Sequence, residues 1–243
     1  MKIIAIIQAR MGSTRLPGKV MKKVMGRSLL EHQIIRVKQS AFIDEIVVAT
    51  TTKKQDDVIV EVCEKIGISY YRGSEHDVLT RYYEAATQYK ADVVIRLTSD
   101  CPVIHHDEID KVIQCFLEKK PDYASNTITR TYPRGFDTEV FSYDVLKKVF
   151  EQAISLPHRE HVTSYIYSHP EQFSLLSVTN EVNYSQYRLT VDTPEDFDLI
   201  KIVIQNLYTD ISPFPFQEII NLLRENPDWA DINSHVEQKK IMI

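Results

Sequence analysis

The chain has 243 residues, of which 43% are hydrophobic and 26% charged, and its formal net charge at pH 7 is −5. A chain of this length can bury one sizeable core, so we expect residues 1–243 to form a single α/β domain whose tail after about residue 228 is loosely packed. The excess of acidic groups argues against non-specific binding to nucleic acid or to an anionic membrane.

Cysteine content and hydropathy indicate the redox state and the cellular compartment of the protein. Cys63, Cys101 and Cys115 are an odd number without CxxC spacing, which argues against a disulfide framework and a zinc knuckle. The stretch from Met1 to Ala9 has one lysine and too short an apolar run for a signal peptide, and nothing later approaches ~20 consecutive apolar residues. We therefore expect a reduced, cytoplasmic protein.

The first half of the chain alternates between strands and helices. Residues 2–9 are apolar at successive positions, which is typical of a strand in a parallel sheet that helices cover on both faces. A helix over 29–38 and a strand over 43–50 complete a βαβ unit, for which we expect a right-handed crossover. The same alternation predicts helices over 57–65, 77–89 and 108–119 and strands over 68–72 and 92–97, with Asp77 as a helix cap.

The second half of the chain is less regular. Its patterns predict short strands over 123–126, 136–141 and 173–178, a helix near 143–153, and one helix after Pro157 that Pro170 ends. A last strand over 187–191 precedes a helix with Thr193 as its N-cap and Pro194 as its first residue, which runs to about residue 207. A terminal helix over 216–224 follows.

A cationic loop follows the first strand. Arg10, Arg15 and Lys19 surround Gly12 and Ser13, where an open α/β sheet usually holds a phosphate. Arginines offer forked donors, lysine a compact charge, and glycine a close approach of backbone amides. One arginine alone would suggest a solvated turn, but the combination favours a polyphosphate site, although it matches neither the GxGxxG nor the GxxxxGK[ST] pattern.

Two aspartates follow predicted strands. Asp100 comes after VVIRLTS and Asp192 after YRLTV. Mg²⁺ is usually held by one or two carboxylates together with phosphate oxygens, so both are candidate metal ligands. Taken singly, each is as readily explained as a turn or helix-capping residue.

The motifs together resemble those of the cytidylyltransferases that activate acidic sugars as CMP derivatives, the sialic acid and Kdo synthetase group, and most closely the SpsF branch of spore coat polysaccharide biosynthesis. The resemblance reaches about residue 200 and is carried by QARMGSTRLPGKV, VVATT, YYRGSEHDVLTRY, VVIRLTSDCPVI, YASN, PRGFDTEVF, REHVT and RLTVDTPEDF. It implies a three-layer α/β/α sandwich with a mostly parallel sheet, the nucleotide-diphospho-sugar transferase (GT-A-like) fold, and a homodimer.

The resemblance also implies a reaction. CMP would pass from CTP to an acidic sugar with release of pyrophosphate, Arg10, Arg15, Lys19 and Asp100 would act in catalysis, and Asp100 and Asp192 would hold Mg²⁺. The implied nucleotide-binding residues are Ala9, Arg10, Gly12, Ser13, Arg15, Lys19, Ala49, Thr50, Arg72, Ser74 and Arg81. The preference for CTP over other triphosphates rests on the resemblance alone.

Two motifs in the second half are candidate substrate segments. In YPRGFDTEVF, Arg134 can pair with a sugar carboxylate, Gly135 allows close approach, and Asp137 or Glu139 can accept from sugar hydroxyls. A hairpin whose charges point outward explains that segment equally well. Arg159 lies in HREHVT, for which we expect a place at the sugar end or at a dimer contact, and the motif lacks a third ligand for zinc.

The sequence departs from the synthetase pattern at TSDCP, where the relatives have a QGDEP-like stretch. This change leaves Asp100 in place and puts base contacts from that strand in doubt, while Cys101 reads as a small buried residue. Two other functions stay open: a glycosyltransferase of the same fold that consumes a nucleotide sugar, and a non-catalytic nucleotide-binding subunit. The dense cationic loop and the absence of an obvious DxD motif argue against the first, and the candidate metal ligands argue against the second.

Overall fold

The first strand, β1 (Ile3–Gln8), is buried along its length and lies in the middle of a seven-stranded sheet, as its continuous apolar run predicts. The structure is a computed structural model, which describes residues 1–209 and 212–238. A two-stranded ribbon that the sequence analysis did not predict, β2 (Lys23–Val24) and β3 (Arg27–Ser28), connects the cationic loop to the first helix.

The predicted alternation in the first half is confirmed. The helices are α1 (Leu29–Val37), α2 (Asp57–Ile66), α3 (Val78–Gln88) and α4 (His106–Lys119), and the strands between them are β4 (Glu45–Thr51), β5 (Ser69–Gly73) and β6 (Val93–Thr98). Asp77 caps α3 as predicted, because its side chain accepts a hydrogen bond from the amide of Thr80.

The second half adds shorter elements. They are β7 (Tyr123–Ser125), β8 (Glu139–Ser142), α5 (Tyr143–Gln152), α6 (Leu156–His161), α7 (Ser164–Ser168), β9 (Leu175–Ser177), α8 (Pro194–Leu207), α9 (Phe216–Glu225) and α10 (Pro227–Asp231). The single helix predicted after Pro157 is wrong: Val162 has a φ of 52°, which interrupts the helix between α6 and α7.

The strand order is β5-β4-β1-β6-β8-β7-β9, and β8 alone among these strands runs antiparallel to both of its neighbours. Alternate residues of β1 enter two separate cores. Helices α1, α2, α4, α8 and α9 pack on one face, and α3, α5 and α7 on the other. The predicted three-layer sandwich with a mostly parallel sheet is confirmed.

The predicted strand over 187–191 is wrong, and its actual path brings distant residues together. This segment makes one isolated bridge, from Arg188 to Arg134, and its backbone amides donate to loop carbonyls instead of to a strand. The amide of Val191 donates to the carbonyl of Asp100 over 2.8 Å. The segment therefore crosses the carboxyl ends of the strands and carries Asp192 to the end of β6.

Asn233 anchors the described part of the tail after residue 228. Asn233 is buried, and its side-chain amide donates to the carbonyl of Arg188 and to the carboxylate of Asp196. Residues 239–243 lie outside the described part of the chain. Among the described helices, none has both the length and the apolar character needed to cross a bilayer.

Candidate active site

Lys19 joins the cationic loop to both predicted metal ligands. It starts a short 3₁₀ helix (Lys19–Met21), and its ammonium donates to Asp192 Oδ1 over 2.7 Å and to the carbonyl of Val191 over 2.8 Å. Asp100 Oδ2 lies 3.4 Å from the same nitrogen. Arg15 reaches the other oxygen of Asp192 over 2.9 Å. The structure thus brings together four of the predicted residues at the carboxyl ends of β1 and β6.

The charges in this cluster reinforce one another. Burial by itself would lower the pKa of Lys19, but the carboxylates of Asp100 and Asp192 outweigh it and raise the pKa above its ordinary value. Burial likewise would raise the pKa of Asp100, and the Lys19 ammonium outweighs it, so that this pKa is lowered. Lys19 and Asp100 are therefore charged at neutral pH.

A buried carboxylate that the sequence analysis missed positions Asp192. Asp196 is fully buried and forms two hydrogen bonds with the Arg188 guanidinium, of 2.8 and 2.9 Å. It also accepts from the amide of Asp192 over 2.9 Å and completes a capping box with Thr193. The motif TPEDF predicted the helix cap. Arg188, the ion-pair partner of Asp196, comes from the segment that was wrongly predicted as a strand.

The residues present fit a magnesium ion. One carboxylate oxygen of Asp100 lies 3.4 Å from the Lys19 ammonium, and one of Asp192 lies 2.7 Å from it. Both oxygens are therefore directed into the same space. Mg²⁺ prefers such oxygen ligands and usually binds through one or two carboxylates and substrate phosphates. A cation-attracting pair of acids next to a phosphate-attracting loop is the donor set that a metal–triphosphate complex requires.

Asp56, which the sequence analysis also did not identify, stabilises the cationic loop. Its buried carboxylate accepts from the amide of Met11 over 2.7 Å and from the hydroxyl of Thr51. The carbonyl of Met11 in turn accepts from the amides of Ser13 and Gly18, at 2.9 and 3.0 Å. These bonds fix the curvature of the loop around Gly12 and Ser13.

Arg10 remains available to a ligand. Its side chain is half-buried, and within residues 1–209 and 212–238 its guanidinium has no hydrogen-bonding partner. Ala9, by contrast, is buried, and its amide donates to the carbonyl of Ala49 over 3.1 Å, which continues the sheet. The hydroxyl of Thr50 is buried without a partner among the described residues. The predicted nucleotide contacts of these residues remain predictions.

The guanidinium of Arg72, an implied nucleotide-binding residue, contacts protein groups. Its guanidinium donates to the carbonyls of Thr51 and Lys53, over 2.8 and 3.0 Å, and pairs with Asp57 at 2.8 Å. These bonds hold the loop that follows β4. These contacts give Arg72 a structural part and use three of the five N–H donors of its guanidinium, and its predicted nucleotide contact remains a prediction.

Arg81 and Ser74 brace the loop after β5. The buried Arg81 donates to the carbonyl of Ser74 over 2.6 Å, and Ser74 Oγ accepts from the amide of Asp77 over 3.0 Å. Arg81 thus braces the loop, and the nucleotide contacts implied for Arg81 and Ser74 remain predictions.

Both carboxylates of the segment PRGFDTEVF contact protein donors, and their predicted substrate contacts remain predictions. Asp137 forms a two-bond pair with Arg130, at 2.6 and 2.9 Å. Glu139 is buried, pairs with Arg96 at 2.5 Å and accepts from the hydroxyl of Thr163. Both carboxylates are thus engaged by protein donors, and the predicted acceptance from sugar hydroxyls has no support in this geometry.

Close packing of the backbone requires a glycine at position 135. Its φ is +104°, and a Cβ built there would stand 2.3 Å from the carbonyl oxygen of Leu189. The close approach predicted for a substrate is therefore made by the 187–191 segment, which packs against Gly135 on its way to Asp192.

Arg134 is the exception in this segment. Its side chain is half-buried and, in the part of the chain that the structure describes, its guanidinium donates to no protein group. Burial lowers its pKa, and the nearby guanidinium of Arg130 lowers it further. A partly desolvated cation with cationic neighbours is an anion-binding position, in line with the predicted carboxylate contact.

Arg159 ties several helices together, and its predicted substrate contact remains a prediction. Its guanidinium pairs with Asp77 at 2.6 Å and donates to the carbonyls of Phe150 and Ala153, at 3.0 and 3.2 Å. It thereby ties α6 to the start of α3 and the end of α5. Its partners lie at the start of α3 and at the end of α5.

A separate group of possible metal ligands lies at the start of α4. His105, His106 and Asp107 direct ligand atoms within 4.8 Å of one another. The positive end of the helix and the nearby Arg36, whose charge lowers the pKa of His105 together with burial, both oppose a cation there. We therefore regard Asp100 and Asp192 as the candidate metal site.

Comparisons with known proteins agree with this geometry. Residues 4–241 match the family described as cytidylyltransferase. The spore coat polysaccharide biosynthesis protein SpsF of Bacillus subtilis is 39% identical, with 94% of this chain and 96% of SpsF covered.

Two solved structures have the same fold. The structure of a cytidylyltransferase from Leptospira borgpetersenii superposes with a TM-score of 0.91 at 35% identity, over 99% of this chain and 100% of that one. CMP:2-keto-3-deoxy-manno-octonic acid synthetase, solved in complex with CTP, superposes with a TM-score of 0.65 at 19% identity, over 85% of this chain and 99% of that one. The second likeness is evidence for the fold alone.

Proposed function

This chain belongs to the cytidylyltransferase family, in the branch that contains SpsF, and on that premise we propose that it transfers CMP from CTP to an acidic sugar and releases pyrophosphate. The observation that carries this proposal is the contact of Lys19 and Arg15 with Asp100 and Asp192 at the carboxyl ends of the central strands. It combines donors for a triphosphate with ligands for its metal.

The cations would bind the triphosphate and stabilise the pyrophosphate that leaves. Arg10 has a free guanidinium, and Arg15 and Lys19 can exchange a carboxylate oxygen for a phosphate oxygen with little movement. Because their positive charge faces the developing negative charge in a partly buried site, it acts more strongly than it would in water.

We propose Mg²⁺ as the cofactor, held by Asp100 and Asp192. When bound, it would supply charge neutralisation at the phosphate groups. The protein itself contributes orientation, because Asp196 and Arg188 fix Asp192, and Asp56 fixes the loop. Holding the reactants in line in this way converts an encounter into a positioned reaction.

The acidic character of the acceptor is supported by Arg134. A sugar hydroxyl would attack the α-phosphorus of CTP, its proton would pass to solvent or to a nearby base, and the bond to pyrophosphate would break. A carboxylate on that sugar would satisfy the guanidinium of Arg134, whose backbone forms an isolated bridge with Arg188 in the segment that leads to Asp192. Family membership and the three free thiols support our further proposal of a cytoplasmic, homodimeric enzyme of surface or spore coat polysaccharide synthesis.

The test is pyrophosphate release from each of the four ribonucleoside triphosphates, with Mg²⁺ and a panel of acidic sugars. CTP-dependent release with one sugar, lost on removal of Mg²⁺ and in an Asp100→Asn variant, is the expected result. Release of a nucleotide from a CMP-sugar without pyrophosphate would favour a glycosyltransferase. CTP binding without turnover on any sugar would favour a non-catalytic subunit.

A further inference from the structure

Three loops meet around Gly12, on the side of the cationic loop that faces β4 and β5. A Cβ built on Gly12 would stand 3.4 Å from the side-chain amide of Gln55 and 3.5 Å from Glu75 Oε1. Gln55 lies in the loop after β4, and Glu75 lies in the loop after β5. The side chains of Gln55 and Glu75 thus form a small polar surface next to the proposed phosphate site.

The strand order indicates which part of a bound nucleotide would lie next to Gln55 and Glu75. Asp100 follows β6, on one side of the central strand β1, and Asp192 lies with it. If the reacting phosphate lies there, as the proposed function requires, the nucleoside has to extend across β1 to the other side, over β4 and β5. The base would then lie among the loops that carry Gln55 and Glu75.

Two of the predicted nucleotide-binding side chains in this region are bonded to protein groups. Arg72 is engaged by two carbonyls and Asp57, and Arg81 is buried and bonded to the carbonyl of Ser74. A base in this region would therefore meet further groups of these loops. Glu75 stands between Ser74 and Asp77 in sequence and points towards the cationic loop.

Glu75 has the chemistry of a selective acceptor. Its side chain is only 14% exposed, and its Oε2 atom contacts the Lys53 ammonium. Hydrogen bonding from Lys53 lowers its pKa, so the group stays ionised at neutral pH. No donor among the described residues satisfies Oε1, which leaves an oriented acceptor that has no proton to donate.

We propose that Glu75 Oε1 accepts a hydrogen bond from the 4-amino group of cytosine and so selects CTP over UTP. Uracil presents a carbonyl oxygen at that position, and a half-buried carboxylate repels it. Acceptance from the cytosine amino group by an acidic side chain is a known mode of base recognition. This inference rests on the proposed function, because it requires a nucleotide whose phosphates lie at Lys19.

The test compares Glu75→Gln with the wild type in calorimetric binding of CTP, UTP and the 2-pyrimidinone riboside triphosphate, which lacks the 4-amino group. The wild type should bind CTP at least ~10-fold more tightly than either analogue, as one such contact allows. In Glu75→Gln, whose amide can donate to a carbonyl, the preference for CTP over UTP should fall to within about threefold. Tripolyphosphate, which has no base, should bind both proteins equally.

Glu61→Gln, the same change at an exposed position of α2, is the matched control and should bind as the wild type does. If Glu75→Gln keeps the wild-type preference for CTP, Glu75 does not read the base, and the proposed function stands. If it also loses tripolyphosphate binding, Glu75 shapes the cationic loop, and the inference is overturned. A wild type that does not prefer CTP would overturn both the inference and the use of CTP.

Discussion

Lys19 shows how burial and charge compete at a single side chain. Its ammonium is mostly buried, which disfavours the charged form, yet three oxygens lie within 3.4 Å of it. Arg15 shares one of these partners, so the two cations and two carboxylates form one network. A change at any member alters the environment of the others, and single substitutions here will not be additive.

Substitution of Lys19 by Met should lower the rate of pyrophosphate release by ~100-fold or more, because a donor preorganised for developing charge is lost. Lys19→Arg should not restore the rate, since the planar guanidinium cannot take the place of a compact ammonium between two carboxylates. Lys23→Met, in the exposed ribbon nearby, is the control. A Lys19→Met rate within threefold of the wild type would remove Lys19 from the mechanism.

A comparison of Gly135 with Gly26 separates the energetic cost of backbone strain from the cost of a steric clash. Both have positive φ, +104° and +78°, but a Cβ at Gly26 meets nothing within 4 Å, whereas one at Gly135 would overlap the backbone of Leu189. Gly135→Ala should lower the free energy of unfolding by about 3 kcal/mol, and Gly26→Ala by about 1 kcal/mol. Urea unfolding of both variants measures the difference, and equal losses would mean that the approach to Leu189 does not matter.

At the scale of one element, the start of α4 carries two buried groups with opposite pH dependence. Burial lowers the pKa of His105 from 6.5 to about 4 and raises that of Glu108 from 4.5 to about 7. The His105 contribution to stability is present above pH 6.5 and is lost as the pH falls through about 4. The Glu108 contribution is present below pH 4.5 and is lost as the pH rises through about 7.

We expect these two dependences to oppose each other in the wild type. Glu108→Gln should remove the falling part of the profile, so that the free energy of unfolding rises by roughly 2 kcal/mol between pH 4.5 and 6.5 relative to the wild type. His105→Asn should show the reverse, a relative fall over the same range. Urea unfolding across this range checks both, with Glu118→Gln, at the exposed end of α4, as the control.

If Glu108→Gln follows the wild-type profile at every pH, the burial of this carboxyl does not control its ionisation. The histidine has a structural reason to stay neutral, because its Nδ1 atom accepts from the amide of Asp107 over 3.3 Å and so caps α4. Protonation would remove that acceptor and place a positive charge at the positive end of the helix.

At the scale of the whole molecule, the two ends of the chain meet at the site. The loop after β1 supplies Arg15 and Lys19, and Asn233 near the other end fixes Arg188 and Asp196, which position Asp192. The last described residue, Gln238, also accepts from Arg188 over 2.7 Å. The acidic cluster therefore depends on residues distant in sequence from all of the recognisable motifs.

Asn233→Ala should reduce both stability and activity without touching the site directly. Loss of two hydrogen bonds to a buried carbonyl and carboxylate should lower the free energy of unfolding by about 2 kcal/mol, and the rate of pyrophosphate release should fall because Asp192 is less well held. Ser234→Ala removes an exposed hydroxyl beside it and is the matched control. Unchanged activity in an Asn233→Ala protein would show that the tail is not needed to position Asp192.

The sequence by itself determined the local structure and the chemistry of the site's centre. Continuous apolar runs identified the buried strands, and the capping residues Asp77 and Thr193 located two helix starts, because both signals arise between neighbours in the chain. The density of cations after β1 and the acids after later strands pointed to Lys19 and Asp100, since parallel strands end at one edge.

Only the tertiary structure decided which partner each charged side chain takes. Arg159 pairs with Asp77, 82 positions away, and Arg72 is satisfied by carbonyls of a different loop. No local pattern encodes such contacts, because a charge can be neutralised by any opposite group or carbonyl that the fold brings near it. For the same reason the extended segment at 187–191 looked like a strand in sequence, while in space its hydrogen bonds go to loops and carry Asp192 to Lys19.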